Sequence, residues 1–210
     1  MKLTQRGLLS AAIVLVGGVA LMAQAPPAGA PAGGRGGPRL GLSVTSPSFP
    51  DGGEIPMKHS GRGDNKTPEF QFHWMLGTNP GAAPDTLKTY AIVLHDIENS
   101  SNKTTVDTLH WIAFNIPGTA KGIPEGMGTG DLPDGTRNGP GIAAGRGGNP
   151  PGYFGPGAGP GPFHHYIFEF YALDTKLDLP ATATRDEIFK AMDGHVVGKA
   201  AYFGRFHAQP

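Results

Sequence analysis

The spacing of apolar side chains constrains this chain most, because several runs fit β-strands and few fit helices. Residues 70–74 alternate between aromatic and polar side chains, which is the two-residue period of a half-buried strand. Residues 89–94 are β-branched or apolar throughout, which indicates a central strand covered on both faces. Residues 110–116 and 164–171 also have a strand pattern. The sequence therefore predicts a mainly β domain of antiparallel sheets.

Helical signals are confined to the C-terminal part of the chain. Thr184 and Glu187 form a capping box, and Ile188, Ala191 and Met192 give the apolar stripe of a short helix. The segment after residue 194 fits either a final strand or a second helix. We therefore expect one or two small helices near the C-terminus.

Glycine and proline are concentrated in two segments. The chain has 34 glycines and 21 prolines, and residues 26–41 and 117–162 hold 35 of these 55. The first segment has too little apolar bulk to offset the entropy of ordering, so we predict a disordered linker. The second is expected to be a long loop, either functional or partly disordered. The rest of residues 42–210 has an ordinary globular composition.

The N-terminal residues resemble an export signal. Lys2 and Arg6 precede an uncharged run over residues 7–22, and residues 23–25 give a small-x-small cleavage site. We predict a signal peptide over residues 1–25, with a retained membrane anchor as the alternative. The protein would then be periplasmic or secreted, with no membrane span after cleavage. The sequence has no cysteine, which excludes both disulfides and a cysteine-linked lipid anchor.

Ionisable side chains mark the ends of three predicted strands. Asp96 closes one strand, His110 opens the next, and His164 and Tyr166 open a third. Antiparallel neighbours would gather these four groups at one end of one sheet, beside the glycine-rich run that precedes His164. Imidazoles and a phenol can donate to an anion, and glycine allows backbone N–H groups to approach it closely. The pattern predicts a site for a small phosphate-like or carboxylate group.

Simple alternation places His110 on the same face as Ile112 and Phe114. Other roles for these groups are open, since a histidine at a strand end is often structural and Asp96 can cap a turn. Two histidines and a carboxylate can also bind zinc or iron, as a metal-dependent hydrolase would require. No close-spaced metal motif, nucleophile motif or dinucleotide fingerprint supports an enzyme, so we predict no metal and no cofactor. Because the net charge is zero, no nucleic-acid partner is expected.

With these residues the chain resembles the phosphatidylethanolamine-binding protein family, in its bacterial Raf-kinase-inhibitor-like branch. The motifs that carry the resemblance are Ser46-Pro47-Ser48-Phe49, Thr67-Pro68, His95-Asp96-Ile97-Glu98, His110-Trp111, Gly152-Tyr153-Phe154-Gly155-Pro156 and His164-His165-Tyr166. The resemblance implies a sandwich of antiparallel sheets with a Greek-key-like order, and a surface pocket for phosphate, acetate or a phosphoethanolamine head group. It implies that the ligand-binding residues are Asp96, Glu98, His110, Tyr153, Gly155, Gly157, His164 and Tyr166.

The chain departs from the family pattern at the rim of this pocket. Residues 96–100 lack the two prolines that the family usually has there, and Glu98 replaces an aspartate. His165 stands where arginine is common, which removes a permanent positive charge. The family also includes protein-interaction inhibitors, so inhibition of a protease or kinase through residues 117–162 is an alternative function. Our first expectation is an exported, non-enzymatic protein that binds a small anion.

Overall fold

A computed structural model describes residues 37–101, 103–144 and 150–210. The predicted signal peptide and most of the predicted linker lie outside these residues. The described residues form ten strands, one α-helix and a short 3-10 helix at Met57–His59. The strands are β1 (Leu40–Thr45), β2 (Gly53–Glu54), β3 (Phe70–Leu76), β4 (Asn79–Gly81), β5 (Thr89–Asp96), β6 (Thr108–Pro117), β7 (Gly122–Ile123), β8 (Arg137–Gly141), β9 (His164–Leu173) and β10 (Val196–Phe206), and the helix is α1 (Arg185–Met192). The predicted mainly β class is confirmed.

The strands form two sheets. In the larger sheet the order is β2-β10-β9-β5-β6-β8, and in the smaller sheet β3 lies between β1 on one edge and β4 and β7 on the other. Among the described strands, only β2 and β10 pair in parallel. The central strand β5 is antiparallel to both β6 and β9, as the sequence predicted.

The two faces of the larger sheet bury two separate apolar clusters. One face packs on the smaller sheet, where aromatic rings dominate; Phe70 lies 4.9 Å from Phe168 between ring centroids. The other face packs on α1 through Ile188 and Met192. All eight residues of β5 are buried because both faces of this strand are covered. Burial of this apolar area is the main stabilising contribution to the fold.

Helix α1 forms as the capping box predicted. The Thr184 hydroxyl accepts a hydrogen bond from the Glu187 backbone N–H, and the Glu187 carboxylate accepts one from the Thr184 backbone N–H at 2.8 Å. Met192 and Ile188 lie on the buried face, one turn apart. Within the described part of the chain, no helix is long and apolar enough to span a membrane.

Several segments differ from the sequence prediction. Strand β1 begins at Leu40, two residues before the predicted start of the domain. The run over residues 55–59, where Pro56 favours an extended backbone at Ile55, predicts a brief extended piece, but Met57–His59 form a 3-10 turn. Strands β7 and β8 lie inside the predicted loop of residues 117–162, where glycine and proline hide any apolar period. Of the two predicted alternatives for the segment after α1, the structure has the strand, β10.

Strand β6 carries two irregularities that decide where its side chains point. Asn115 has a φ of 58°, and the pairing with β5 shifts by one residue there. The pairing shifts again at His110, because Leu94 pairs with Trp111 while His95 pairs with Leu109. Such a bulge turns a side chain to the other face of the sheet. Simple alternation therefore predicts the wrong face for His110. Its side chain does not lie with Ile112 on the helix-covered face of the sheet.

Candidate functional site

The candidate site is a cavity at the end of the larger sheet, where β5 ends and β9 begins. Asp96 on β5 pairs in register with Tyr166 on β9 and with Thr108 on β6. The cavity has a volume of about 420 Å³. Its lining consists of Gly61, Arg62, Asp96, Asn99, His110, Ile142, Phe154, Gly157, Ala158, Gly159, His164 and Tyr166. Five of the eight sequence-predicted site residues belong to this set.

Asp96 forms the floor of the cavity. Its carboxylate is buried, and Oδ1 accepts hydrogen bonds from the backbone N–H groups of Glu98 at 2.8 Å and Asn99 at 3.0 Å. Oδ2 lies 2.8 Å from Nδ1 of His164. Asp96 therefore caps the turn after β5 and also fixes the imidazole of His164. The proton that His164 shares with Asp96 sits on Nδ1, so its Nε2 is the nitrogen available to a ligand.

His110 forms one side of the cavity. Its Nδ1 lies 3.0 Å from the carbonyl oxygen of Phe154, which can only accept, so Nδ1 carries the proton. Burial lowers the pKa of His110 below its ordinary value, although the Phe154 carbonyl and the charge of Asp96 act in the opposite direction. The imidazole is therefore neutral at pH 7, and its unprotonated Nε2 is the nitrogen available to a molecule in the cavity.

Tyr166 is fully buried behind the cavity, and the His110 ring packs against it edge-on at 5.2 Å. Its hydroxyl oxygen accepts the backbone N–H groups of Gly157 and Ala158, each at 3.2 Å. Burial and the nearby charge of Asp96 raise the pKa of Tyr166, so the phenol stays protonated. The two N–H groups that we expected to face an oxyanion are thus engaged by Tyr166.

Arg62 and Asn99 line the cavity, although the sequence pattern did not predict them. Arg62 follows the 3-10 helix, and its Nε donates to the carbonyl oxygen of Gly157 at 2.9 Å. Both residues lie in polar loops without a strand period, which is why apolar patterning could not find them. The one available signal was an arginine between two glycines, Gly61 and Gly63, in a loop otherwise short of bulky residues.

The other three sequence-predicted residues lie behind or beside the lining. Glu98 accepts hydrogen bonds from the backbone N–H and the imidazole of His165 at the surface. Tyr153 is buried, and its hydroxyl donates to the carbonyl oxygen of His59 at 2.6 Å. Gly155 passes the same carbonyl so closely that a β-carbon there would lie 1.9 Å from the oxygen. Tyr153 and Gly155 thus hold the cavity wall in place.

A metal site would need several ligating side chains within reach of one ion. Across residues 37–101, 103–144 and 150–210, no three or more histidine, cysteine, aspartate or glutamate side chains lie where they could hold a metal ion together. Asp96 and His164 are hydrogen-bonded to each other, and His110 is bonded to a carbonyl. The chemistry that this arrangement offers is hydrogen bonding and charge pairing with a small polar molecule.

The fold and the cavity define a class: two-sheet β proteins with a polar surface pocket where strands of the larger sheet end. The family model described as phosphatidylethanolamine-binding protein matches residues 45–207. A UPF0098 protein of Methanothermobacter thermautotrophicus is 33% identical over 166 residues, covering 79% of this chain and 98% of its own. The chain belongs to the phosphatidylethanolamine-binding protein family.

Two further relatives are a mycobacterial protein and a solved structure. LppC of Mycobacterium tuberculosis, named as a candidate lipoprotein, is 30% identical and covers 79% of this chain and 72% of its own. The crystal structure of a candidate phosphatidylethanolamine-binding protein homologue from Chlamydia trachomatis is 25% identical, with a TM-score of 0.65. It covers 80% of this chain and 99% of that one. The resemblance inferred from the sequence motifs is therefore confirmed at the level of family and fold.

Proposed function

We propose that this protein is an exported, non-enzymatic binding protein whose cavity takes a small anion of the phosphate or phosphoethanolamine type. The observation that carries this proposal is the convergence of two imidazoles and one guanidinium on a single open cavity. His110, His164 and Arg62 reach it from three separate parts of the chain. Polar groups that converge in a concave site are the usual mark of small-molecule binding.

The binding is expected to be coupled to the uptake of a proton. His110 is neutral at pH 7 because its pKa is lowered, so an anion at Nε2 requires a proton either on the imidazole or on the ligand's own oxygen. A group that must be protonated for binding makes the affinity fall as the pH rises above its pKa. We therefore expect the affinity for phosphate to fall, by up to about tenfold per pH unit, between pH 6.5 and 8.5.

The hydrogen bonds within the lining support the proposed binding role. Asp96, His110 and His164, which could otherwise act as a nucleophile or a general base, each make a hydrogen bond within the protein. The hydroxyl of Tyr166 is held between two backbone N–H groups and stays protonated. The protein-interaction alternative through residues 117–162 stays a prediction.

Titration calorimetry with inorganic phosphate and with phosphoethanolamine tests the binding site. We expect saturable binding in the wild type, and a loss of about tenfold or more in H110A and H164A, since each removes a hydrogen bond to a charged group. H73A is the matched control, because His73 bonds Thr45 on the smaller sheet and does not line the cavity. Absence of heat with both ligands between pH 5 and 8 would contradict the proposal.

The proposed location rests on the leader sequence and on the relative named as a candidate lipoprotein. N-terminal sequencing of the protein from its native host measures this directly. A mature chain that begins near residue 26 supports export with cleavage. A chain that still begins at Met1 contradicts cleavage.

A further inference from the structure

Arg62 is held at the cavity wall by the backbone around it. The backbone N–H of Gly61 donates to the Pro156 carbonyl oxygen at 2.9 Å, while Arg62 Nε donates to that of Gly157. A β-carbon at Gly61 would lie 2.6 Å from the Phe154 ring, so a larger residue there would require this ring to move. Since Nε is used for the wall, the two terminal nitrogens of the guanidinium remain for a molecule in the cavity.

The charges around the cavity sum to zero when the imidazoles are neutral. Among the described lining residues, Arg62 is the one permanent cation and Asp96 the one carboxylate. His110 faces them from β6 as a neutral imidazole, and Tyr166 faces them from β9 as a neutral phenol. His164 donates its Nδ1 proton to Asp96. Apart from the imidazoles, the lining therefore offers one cation to a ligand and one buried carboxylate.

We propose that Arg62 is the counter-ion of the bound ligand, and that the cavity selects monoanions, such as phosphodiesters and carboxylates, over dianions. This inference rests on the proposed function and names the class of anion that the site takes. One negative charge on the ligand pairs with the guanidinium. A second negative charge has no further permanent cation in the lining to pair with and is repelled by the carboxylate of Asp96.

A pair of phosphate esters tests the selection. Dimethyl phosphate is a monoanion at any working pH, whereas methyl phosphate becomes a dianion above its second pKa of about 6. At pH 8.0 we expect dimethyl phosphate to bind about tenfold more tightly than methyl phosphate. At pH 5.5, where methyl phosphate is mostly a monoanion, the two affinities should agree within about threefold. Dimethyl phosphate has no hydroxyl proton for Nε2 of His110, so both esters are also compared in H110A, where the difference that remains at pH 8.0 is that of their charge.

Substitutions at Arg62 distinguish its role as the counter-ion of the ligand from its role in holding the cavity wall. We expect R62Q to weaken dimethyl phosphate binding by about tenfold or more, and R62K, which keeps the charge but neither the bond from Nε nor the two terminal nitrogens, to lie between R62Q and wild type. K58Q is the matched control. Lys58 is an exposed cation in the preceding 3-10 helix, paired with Glu125 at 2.7 Å and absent from the lining.

Each failure points to a different error. If R62K is as weak as R62Q, Arg62 positions the wall and is not the counter-ion. If methyl phosphate keeps or gains its relative affinity at pH 8.0, the selection for monoanions is wrong. If the wild type binds neither ester, nor phosphate, nor phosphoethanolamine at either pH, the proposed function itself is wrong. A thermal unfolding midpoint for each variant confirms that it is folded.

Discussion

The two faces of strand β5 carry histidine–carboxylate pairs that have opposite surroundings. His95 and Asp96 are consecutive, so their side chains point to opposite faces of the sheet. On the helix-covered face, His95 Nδ1 lies 2.6 Å from Oδ2 of Asp107, and the guanidinium of Arg185 binds both oxygens of that carboxylate. On the other face, Asp96 accepts from His164 and from two backbone N–H groups.

The counter-ion distinguishes the two clusters. Burial raises the pKa of Asp107, but the hydrogen bonds and charge of Arg185 outweigh it, so the pKa is lowered overall. The charges on that face are satisfied within the protein and tie α1 to the start of β6. Asp96 has no guanidinium of its own, and Arg62 forms no ion pair with a carboxylate of the described residues. The guanidinium of Arg62 therefore remains available to a ligand, whereas that of Arg185 is already paired with Asp107.

Removal of each carboxylate gives the largest contrast. In D96A the two backbone N–H groups and the Nδ1 of the partly exposed His164 lose their acceptor, so we expect the free energy of unfolding to fall by about 3 kcal/mol or more. In D107A the freed Arg185 is partly exposed and can be solvated, but the buried Nδ1 of His95 also loses its partner, so about 2 kcal/mol is expected. Urea unfolding at pH 7 measures both. Equal losses in the two variants would contradict the distinction between the clusters. If D96A fails to fold, D96N is measured instead. It retains one acceptor oxygen, so its loss of unfolding free energy should lie between the values expected for D96A and D107A.

The two faces of the larger sheet are expected to lose stability over different pH ranges. His110 has a lowered pKa in the folded protein, so below about pH 6.5 the unfolded chain takes up a proton that the folded one resists. Stability from this group is complete above pH 6.5 and declines as the pH falls. We expect H110Q to reduce the slope of unfolding free energy between pH 5 and 6.5, by up to about 1.4 kcal/mol per pH unit.

The helix-covered face should respond in a more acidic window. Asp107 has a lowered pKa, so its contribution is present above its unfolded pKa of about 4 and is lost as the pH falls below it. D107N should therefore reduce the slope of the unfolding free energy below about pH 4. Burial also lowers the pKa of His59, so a residual slope is expected in H110Q. A wild-type curve that stays flat from pH 8 to 5 would contradict the assignment to His110.

The strands of the cavity could be predicted from sequence, but its geometry could not. Alternation located β5, β9 and the ends at Asp96 and His164, because two buried faces impose a strong apolar period. A bulge in β6 turns the His110 side chain toward the cavity. This bulge depends on pairing with β5, so the sequence near His110 does not predict it. Arg62 arrives from a polar loop and is placed by a contact with Gly157, far along the chain. Long-range backbone contacts of this kind produce no periodic pattern in the sequence.

The smallest expected effect concerns Glu98, which marks the outer limit of the cavity. Its carboxylate bonds His165, and the two side chains are 41% and 53% exposed, so water screens the pair. We expect E98Q to change the free energy of unfolding by less than about 1 kcal/mol, and phosphate affinity by less than about twofold. H165Q is the companion variant, because it removes the other half of the same pair. A tenfold loss of phosphate affinity in E98Q but not in H165Q would mean that Glu98 contacts the ligand directly. The site would then extend over the β5–β6 loop, and the charge count that favours monoanions would have to include a second carboxylate.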